Sequence, residues 1–229
     1  MTGRHMLEEL QSQPAVWSRV LSEVLPEYAG LLPGLGERVQ VLGCGSSWFM
    51  AQAYAAARER EGLGETDAFT PTEAPGARGY DSVVVISRSG TTSEALEAVR
   101  RLPEGAPTVA VVGDPESPLA RRATHAVRLS FADEHSIVQT RFATAALILL
   151  LGSLGADRFG LDRAVADTRD LLGELDLGED TGTGPLGEPL DDQLLASEQF
   201  TFLGSGWCLG LAHEAALKMR ESCQAWTES

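Results

Sequence analysis

Two short segments concentrate hydroxyl groups and glycines just before a predicted helix. The first is Gly43-Cys44-Gly45-Ser46-Ser47 and the second is Ser87-Arg88-Ser89-Gly90-Thr91-Thr92. Glycines let a backbone turn sharply and approach a ligand, and the free N–H groups at a helix start favour an anion. The second segment holds four hydroxyls within six residues, whereas a capped turn needs only one. This excess predicts a phosphate cradle.

A structural role remains open for the first segment, because Ser47 could simply cap the helix that follows. In the second segment, Thr91-Thr92-Ser93-Glu94 has the pattern of a capping box. If a residue of each segment serves as a helix cap, fewer hydroxyl groups remain for a ligand.

The elements around these segments alternate between strand and helix patterns. A helix is predicted over Pro14 to Leu25, with Pro14 in its first turn. The central strand is predicted at Ser82 to Ile86, because β-branched residues occupy both of its faces. The other predicted strands are Val39–Leu42, Thr66–Phe69, Thr108–Val112 and Ala126–Ser130, and the helices between and after them are Ser47–Glu61, Ser93–Leu102, Ser117–Arg122 and Arg141–Leu154.

This alternation predicts an α/β fold with a doubly wound, five-stranded parallel sheet. With the common strand order 2-1-3-4-5, the two hydroxyl-rich segments flank the switch point where open α/β sheets bind ligands. The predicted divisions are a helical segment at 1–29, the sheet domain at 30–155, a helix and linker at 156–195, and a second strand-glycine-helix unit at 196–229. That last unit, around Gly204-Ser205-Gly206, repeats the beginning of the first and is incomplete as a domain.

Composition excludes several other classes of protein. The chain has 229 residues, 43% hydrophobic and 22% charged, and a net charge of −15 without any run of Lys or Arg. Such a charge disfavours binding to nucleic acid, and a phosphate site would have to work through local donors. The three cysteines match no metal motif or disulfide framework. These cysteines favour a reducing cytoplasm, the N-terminus has no apolar signal core, and no apolar run is long enough for a membrane span.

A dinucleotide site is the main alternative for the first segment. Gly43-x-Gly45 could begin such a fingerprint, and Asp67 lies roughly where a ribose-binding acid would. However, Trp48 occupies the third glycine position, and the second hydroxyl segment has no role in that fingerprint. No nucleotide P-loop motif is present.

Four stretches together resemble the SIS (sugar isomerase) domain family. They are VLGCGSSWFMA, VVVISRSGTTSEAL, SIVQTRFATAAL and FLGSGWCLGLAHEAALKMRES. The resemblance covers most of residues 37–229 and extends to the isomerase half of glucosamine-6-phosphate synthase and to aminosugar-phosphate isomerases and deaminases. It implies a flavodoxin-like sheet, and it identifies the last stretch as the start of a second SIS domain.

The resemblance also implies roles for particular residues. The substrate phosphate would be held by seven residues of the two segments: Gly45, Ser46, Ser47, Ser87, Arg88, Ser89 and Thr92. Arg88 stands where glucosamine synthase has a glutamine, and its guanidinium could add a bidentate phosphate contact. Glu221 would be the general base, with Lys218 and Glu214 sharing its helix face. The alternative interpretation is that these three residues form an ordinary ion pair on the surface of a helix.

The function implied is proton transfer on a sugar phosphate, as an aldose–ketose isomerase or an aminosugar-phosphate isomerase or deaminase. Neither a metal nor another cofactor is expected. A homodimer is implied, and the apolar run Leu147–Leu151 offers surface for it. The family's ring-opening histidine lies in a His-Gly-Pro segment, which residues 1–229 do not contain. A non-catalytic sugar-phosphate sensor is therefore the alternative.

Overall fold

The computed structural model describes residues 2–76, 78–174 and 196–229, and in these it contains a five-stranded parallel sheet. The strands are β1 (Val39–Gly43), β2 (Thr66–Phe69), β3 (Ser82–Ser87), β4 (Thr108–Val112) and β5 (His125–Arg128). Their order is β2-β1-β3-β4-β5, and all four pairings are parallel. The predicted fold class and strand order are confirmed.

Helices cover both faces of this sheet, as a doubly wound fold requires. Those of the described residues are α1 (Thr2–Arg19), α2 (Leu25–Tyr28), α3 (Ser46–Arg60), α4 (Ser93–Arg100), α5 (Pro118–Arg122), α6 (Arg141–Ser153), α7 (Leu161–Glu174) and α8 (Cys208–Cys223). On β3, Val84 and Ile86 pack in the core with α1, α3 and α6, whereas Val83 and Val85 face α4 and α5. No described helix is both long and apolar enough to cross a membrane.

The N-terminal helix is longer than predicted, because it begins at Thr2 and contains Pro14 in its interior. Proline removes the hydrogen bond to the carbonyl four residues earlier. Here the Gln13 side chain donates to that carbonyl, of Leu10, at 3.5 Å. The placement of Pro14 in the first turn is therefore wrong. The helix continues as a π-helical turn over Val20–Val24 and then as α2, where Pro26 lies in the first turn.

The apolar run Leu147–Leu151 was expected to offer a dimer surface, and this expectation is wrong. Leu149 and Leu150 are completely buried inside the chain, and every residue of the run is at most 7% exposed. Helix α6 lies between α1 and α3, so its apolar side chains are used by the monomer's own core.

A second, smaller sheet lies near the end of the chain. It pairs β6 (Gln199–Thr201) with β7 (Trp226–Glu228), again in parallel. Helix α8 connects these two strands and packs along α3. The strand-glycine-helix repeat is present, although β7 was not predicted. The predicted Gly- and Pro-rich linker at 177–192 lies outside the described residues.

Candidate functional site

The first hydroxyl-rich segment folds back tightly on the start of α3. A Cβ atom on Gly43 would lie 2.5 Å from the Ser47 carbonyl carbon and oxygen, so only glycine fits. Gly45 is the N-cap residue, and no side chain caps the helix. Ser46 and Ser47 instead lie buried in the first helical turn. The interpretation of Ser47 as a cap is therefore wrong, and its hydroxyl remains available for another role.

Hydroxyl groups organise the second segment from within. The Ser87 oxygen accepts a hydrogen bond from the Gly90 N–H at 3.2 Å and lies 3.3 Å from the Thr92 hydroxyl oxygen. The Ser89 oxygen accepts from the Thr91 hydroxyl at 3.0 Å. Thr92 is the N-cap residue of α4 but makes no side-chain capping bond, so the predicted capping box is wrong.

The two segments meet because they follow neighbouring strands, β1 and β3, at the carboxyl edge of the sheet. They enclose a cavity of about 130 Å³, about ten times the volume that one water needs. Its described lining is mostly polar: Cys44, Ser47, Ile86, Ser87, Arg88, Ser89, Thr92, Ala95 and Gln139. Five of the seven predicted phosphate residues are thus brought together, whereas Gly45 and Ser46 lie beside this lining.

Arg88 joins two of the loops at this edge of the sheet. Its Nη1 donates to the Asp133 carboxylate at 3.1 Å and to the Glu134 carbonyl at 2.8 Å. The Nε atom is buried and has no partner among the described residues. The guanidinium therefore places a positive charge beside the cavity while Nη1 is held by the loop after β5.

Four of the lining residues were not predicted: the apolar Ile86 and Ala95, and also Cys44 and Gln139. Gln139 comes from the loop between β5 and α6. This loop also follows a strand of the parallel sheet, and that position in the sequence could have pointed to it as a third wall of the cavity. Partial burial raises the pKa of the Cys44 thiol, and the negative charge of Glu94 adds to this effect. The thiol therefore stays neutral near neutral pH.

Helix α8 brings the three predicted catalytic residues onto one face. The Lys218 ammonium lies 2.6 Å from Glu221 Oε2 and 3.5 Å from Glu214 Oε1. Glu214 has 11% of its side chain exposed and Glu221 has 37%, so the ion pairs run from the interior to the surface. None of the three belongs to the described lining of the cavity.

Glu214 is the most unusual titratable group of this helix. Burial raises the pKa of its carboxyl, although the Lys218 charge and the Ser46 side chain act in the opposite direction. Its Oε2 atom is buried without a hydrogen-bond partner among the described residues. Such a combination of burial and a specific charge partner is typical of functional carboxyls, although structural ion pairs also produce it.

The packing of α8 against α3 determines where this face points. Gly210 touches the backbone of Phe49 and Ala53, where a Cβ atom would lie 2.4 Å from the Phe49 oxygen. One turn later, Glu214 interacts with Ser46 at the start of α3, so the helices run antiparallel. At 1.5 Å per residue, Lys218 and Glu221 then lie about 6 and about 10 Å beyond Ser46. This places them past the start of α3, on the carboxyl side of the sheet.

The chain is similar to known sugar-phosphate proteins. Residues 36–153, just over half of the chain, match the SIS domain family. A glutamine–fructose-6-phosphate aminotransferase (isomerizing) of Aeropyrum pernix is 30% identical over an alignment of 237 positions, which covers 94% of this chain and 38% of that protein. Its counterpart in Sulfolobus acidocaldarius is 29% identical over 84% of this chain and 32% of that protein. The chain thus spans roughly a third of the length of these relatives.

Solved structures of low sequence identity share the fold. Glucosamine-6-phosphate deaminase of Thermotoga maritima has a TM-score of 0.76 at 21% identity, covering 98% of this chain and 69% of that one. The C-terminal domain of the aminotransferase of Francisella tularensis has a TM-score of 0.72 at 20% identity, with coverages of 98% and 68%.

Proposed function

Because the chain belongs to the SIS domain family, we propose that it binds a phosphorylated sugar or aminosugar and transfers a proton between carbons 1 and 2 of that sugar. The observation that carries this proposal is one cavity in which Ser47, Ser87, Ser89 and Thr92 converge from two loops. Neither the Ser47 nor the Thr92 side chain makes a helix-capping bond, and the Thr92 hydroxyl has the Ser87 hydroxyl as its hydrogen-bond partner at 3.3 Å.

A phosphate group suits this cavity for physical reasons. Hydroxyl groups donate hydrogen bonds to phosphate oxygens, and the starts of α3 and α4 add the favourable ends of two helix dipoles. The chain as a whole carries a net charge of −15, and Arg88 supplies a local positive charge at the cavity. The strength of the site therefore lies in local donors rather than in long-range attraction.

In the proposed reaction, the carboxylate of Glu221 removes the proton from one sugar carbon and returns it to the neighbouring carbon. The electron pair of the broken C–H bond passes into a cis-enediol, or into an enolamine for an aminosugar. Lys218 orients this carboxylate through their 2.6 Å contact, and Glu214 holds the same ammonium from the buried side. Fructose 6-phosphate and glucosamine 6-phosphate are the substrates that the relatives' names suggest.

Further parts of the proposal concern organisation. The unit at 196–229 is proposed to begin a second SIS domain that follows the sheet domain at 30–155. A cytoplasmic homodimer is proposed as well, and light scattering should then report twice the chain mass of 24.4 kDa.

A thermal-shift experiment tests the binding step. Fructose 6-phosphate or glucosamine 6-phosphate should raise the melting temperature, with a stabilisation of about 2.7 kcal/mol at a hundredfold excess over Kd. Unphosphorylated fructose should not, because the cavity's donors would have no phosphate to hold. The double variant Ser87→Ala/Ser89→Ala should stay folded and lose the shift. Equal shifts from fructose and its phosphate would contradict a phosphate site.

A further inference from the structure

One wall of the cavity is formed by a loop held in place by charged side chains. We call residues 133–140 the strap. Arg88 binds its start through Asp133, as described above. The buried Glu134 carboxylate accepts from the Thr140 hydroxyl and the Arg141 N–H, both at 2.8 Å. Glu9 of α1 accepts from the His135 N–H at 2.6 Å. The strap is thus fixed at both ends and along its length.

This bracing places one hydrogen-bond acceptor of the strap at the cavity without a partner among the described residues. Gln139 lines the cavity, and its Oε1 atom is buried with no hydrogen bond to any described residue. A buried amide oxygen left unpaired is costly, and most such atoms in folded proteins are paired. A loop that is held this firmly and yet leaves an acceptor unpaired beside a cavity is suited to receive a donor from a ligand.

The chemistry of the acceptor restricts what that donor can be. A phosphate monoester is largely dianionic at neutral pH, and its oxygens then accept hydrogen bonds rather than donate them. An amide oxygen only accepts hydrogen bonds. A sugar hydroxyl or amino group can donate to it. The cavity therefore has hydroxyl donors for phosphate on the side of β1 and β3, and an acceptor on the strap.

We propose that Gln139 recognises the sugar part of the ligand through a donor group on that sugar, and that the Arg88–Asp133 contact is a positioning device that holds Gln139 at the cavity. This inference rests on the proposed phosphosugar binding and deepens it, because it divides the site into a phosphate side and a sugar side.

Calorimetric titration of the variant Gln139→Met tests the first part, with fructose 6-phosphate and inorganic phosphate as the two probes. Methionine keeps the length of the side chain but cannot pair with a hydroxyl. Affinity for fructose 6-phosphate should fall about 2- to 12-fold, the value of one net hydrogen bond, while affinity for inorganic phosphate should stay the same. An equal loss for both probes would place Gln139 on the phosphate, and no loss for either would remove it from the site. Both results overturn the inference.

The variant Asp133→Asn tests the positioning part, because it weakens the contact with Arg88 and leaves the arginine charge in place. The ratio of the affinity for fructose 6-phosphate to that for inorganic phosphate should fall by about twofold, because the lost carboxylate beside Arg88 affects the phosphate of both probes alike. In the double variant with Gln139→Met, this ratio should be no lower than in Gln139→Met alone, because both changes act through one group. Fully additive losses would overturn the positioning role.

Two controls separate these results from other causes. Asp167→Asn removes an exposed carboxylate that pairs with Arg163 on α7, and it should change neither affinity. Wild-type protein that binds neither probe would overturn the proposed function itself, which is a different result from any of the variant patterns above.

Discussion

The molecule contains a strand-glycine-helix turn twice, and the two copies share a close backbone approach and a glycine with positive φ. After β1, a Cβ atom on Gly43 would lie 2.5 Å from the Ser47 oxygen, and Gly45 has a φ of 55°. After β6, a Cβ atom on Gly204 would lie 2.3 Å from the Cys208 oxygen, and Gly206 has a φ of 57°. In both copies the first glycine packs against the backbone of the residue four positions later, and a helix begins within this turn.

The surroundings of the two copies differ completely. Strand β1 is fully buried between β2 and β3. Strand β6 pairs with β7 alone among the described residues. Leu203, which follows β6, is 90% exposed, and Trp226 of β7 is 70% exposed. Parallel sheets are normally covered on both faces, and two strands alone are only marginally stable.

The difference shows that this turn does not form a cavity by itself. The first copy forms a cavity because β3 brings a second hydroxyl-rich loop beside it. The second copy has no such neighbour among the described residues, and its contribution is the charged face of α8. In the proposed function, the first copy binds the phosphate and the second supplies the proton-transfer groups.

The largest expected effect separates these two roles. Glu221→Gln keeps the shape of the side chain but removes the basic oxygen, so exchange of the sugar C1 or C2 proton with deuterated water should fall about 10²- to 10⁴-fold. Binding of fructose 6-phosphate should be retained. Proton NMR in deuterated water follows the exchange, with the longest natural form of the protein, because the family's ring-opening histidine segment is not among these residues.

The exposed Glu198 provides the matched control, since Glu198→Gln removes a carboxylate from the same region away from α8. Wild-type exchange in Glu221→Gln would show that another group is the base. If the wild-type protein binds the sugar phosphate but never exchanges a proton, the sensor alternative replaces the enzyme.

A smaller effect compares one serine from each of the two turns. Ser47→Ala should weaken binding of fructose 6-phosphate about 2- to 12-fold, because one hydrogen bond to the ligand is lost. Ser205→Ala, in the exposed second turn, should leave the affinity unchanged. Calorimetric titration of both variants measures the difference, and equal losses would contradict the assignment of the phosphate to the first turn alone.

The smallest effect concerns the stability cost of burying Glu214. Because burial raises the pKa of this carboxyl, the folded state binds more protons than the unfolded state above the ordinary carboxyl pKa. Stability is therefore lost as pH rises from that value through the raised pKa. Glu214→Gln should match the wild type at pH 4 and be the more stable protein at pH 7.

Urea unfolding at several pH values measures this difference in the free energy of unfolding. Glu198→Gln shows what the loss of an exposed carboxylate does under the same conditions. A Glu214→Gln difference that does not grow between pH 4 and pH 7 would contradict a burial cost at this site.

Local patterns in the amino-acid sequence were enough to predict the strands, the helix starts and the two hydroxyl-rich loops. Alternating strand and helix periodicities gave the five strands and the doubly wound class, and the clusters of glycine and hydroxyl residues marked both loops of the cavity. The β-branched run at Ser82–Ile86 identified the central strand. These features could be predicted because a few neighbouring residues are enough to encode a strand, a turn or a helix start.

Only the tertiary structure decided which groups are used and which are buried. Helix α1 extends back to Thr2 through polar residues held by distant partners, such as Gln13, which accepts from the Thr144 hydroxyl at 2.7 Å. The run Leu147–Leu151 is core rather than interface, and the side chains of Ser47 and Thr92 make no capping bond. Gln139 reaches the cavity on a loop that is braced from two other elements. Each of these outcomes depends on contacts between residues far apart in the chain, and the physical reason is that burial and hydrogen-bond pairing are properties of the packed molecule.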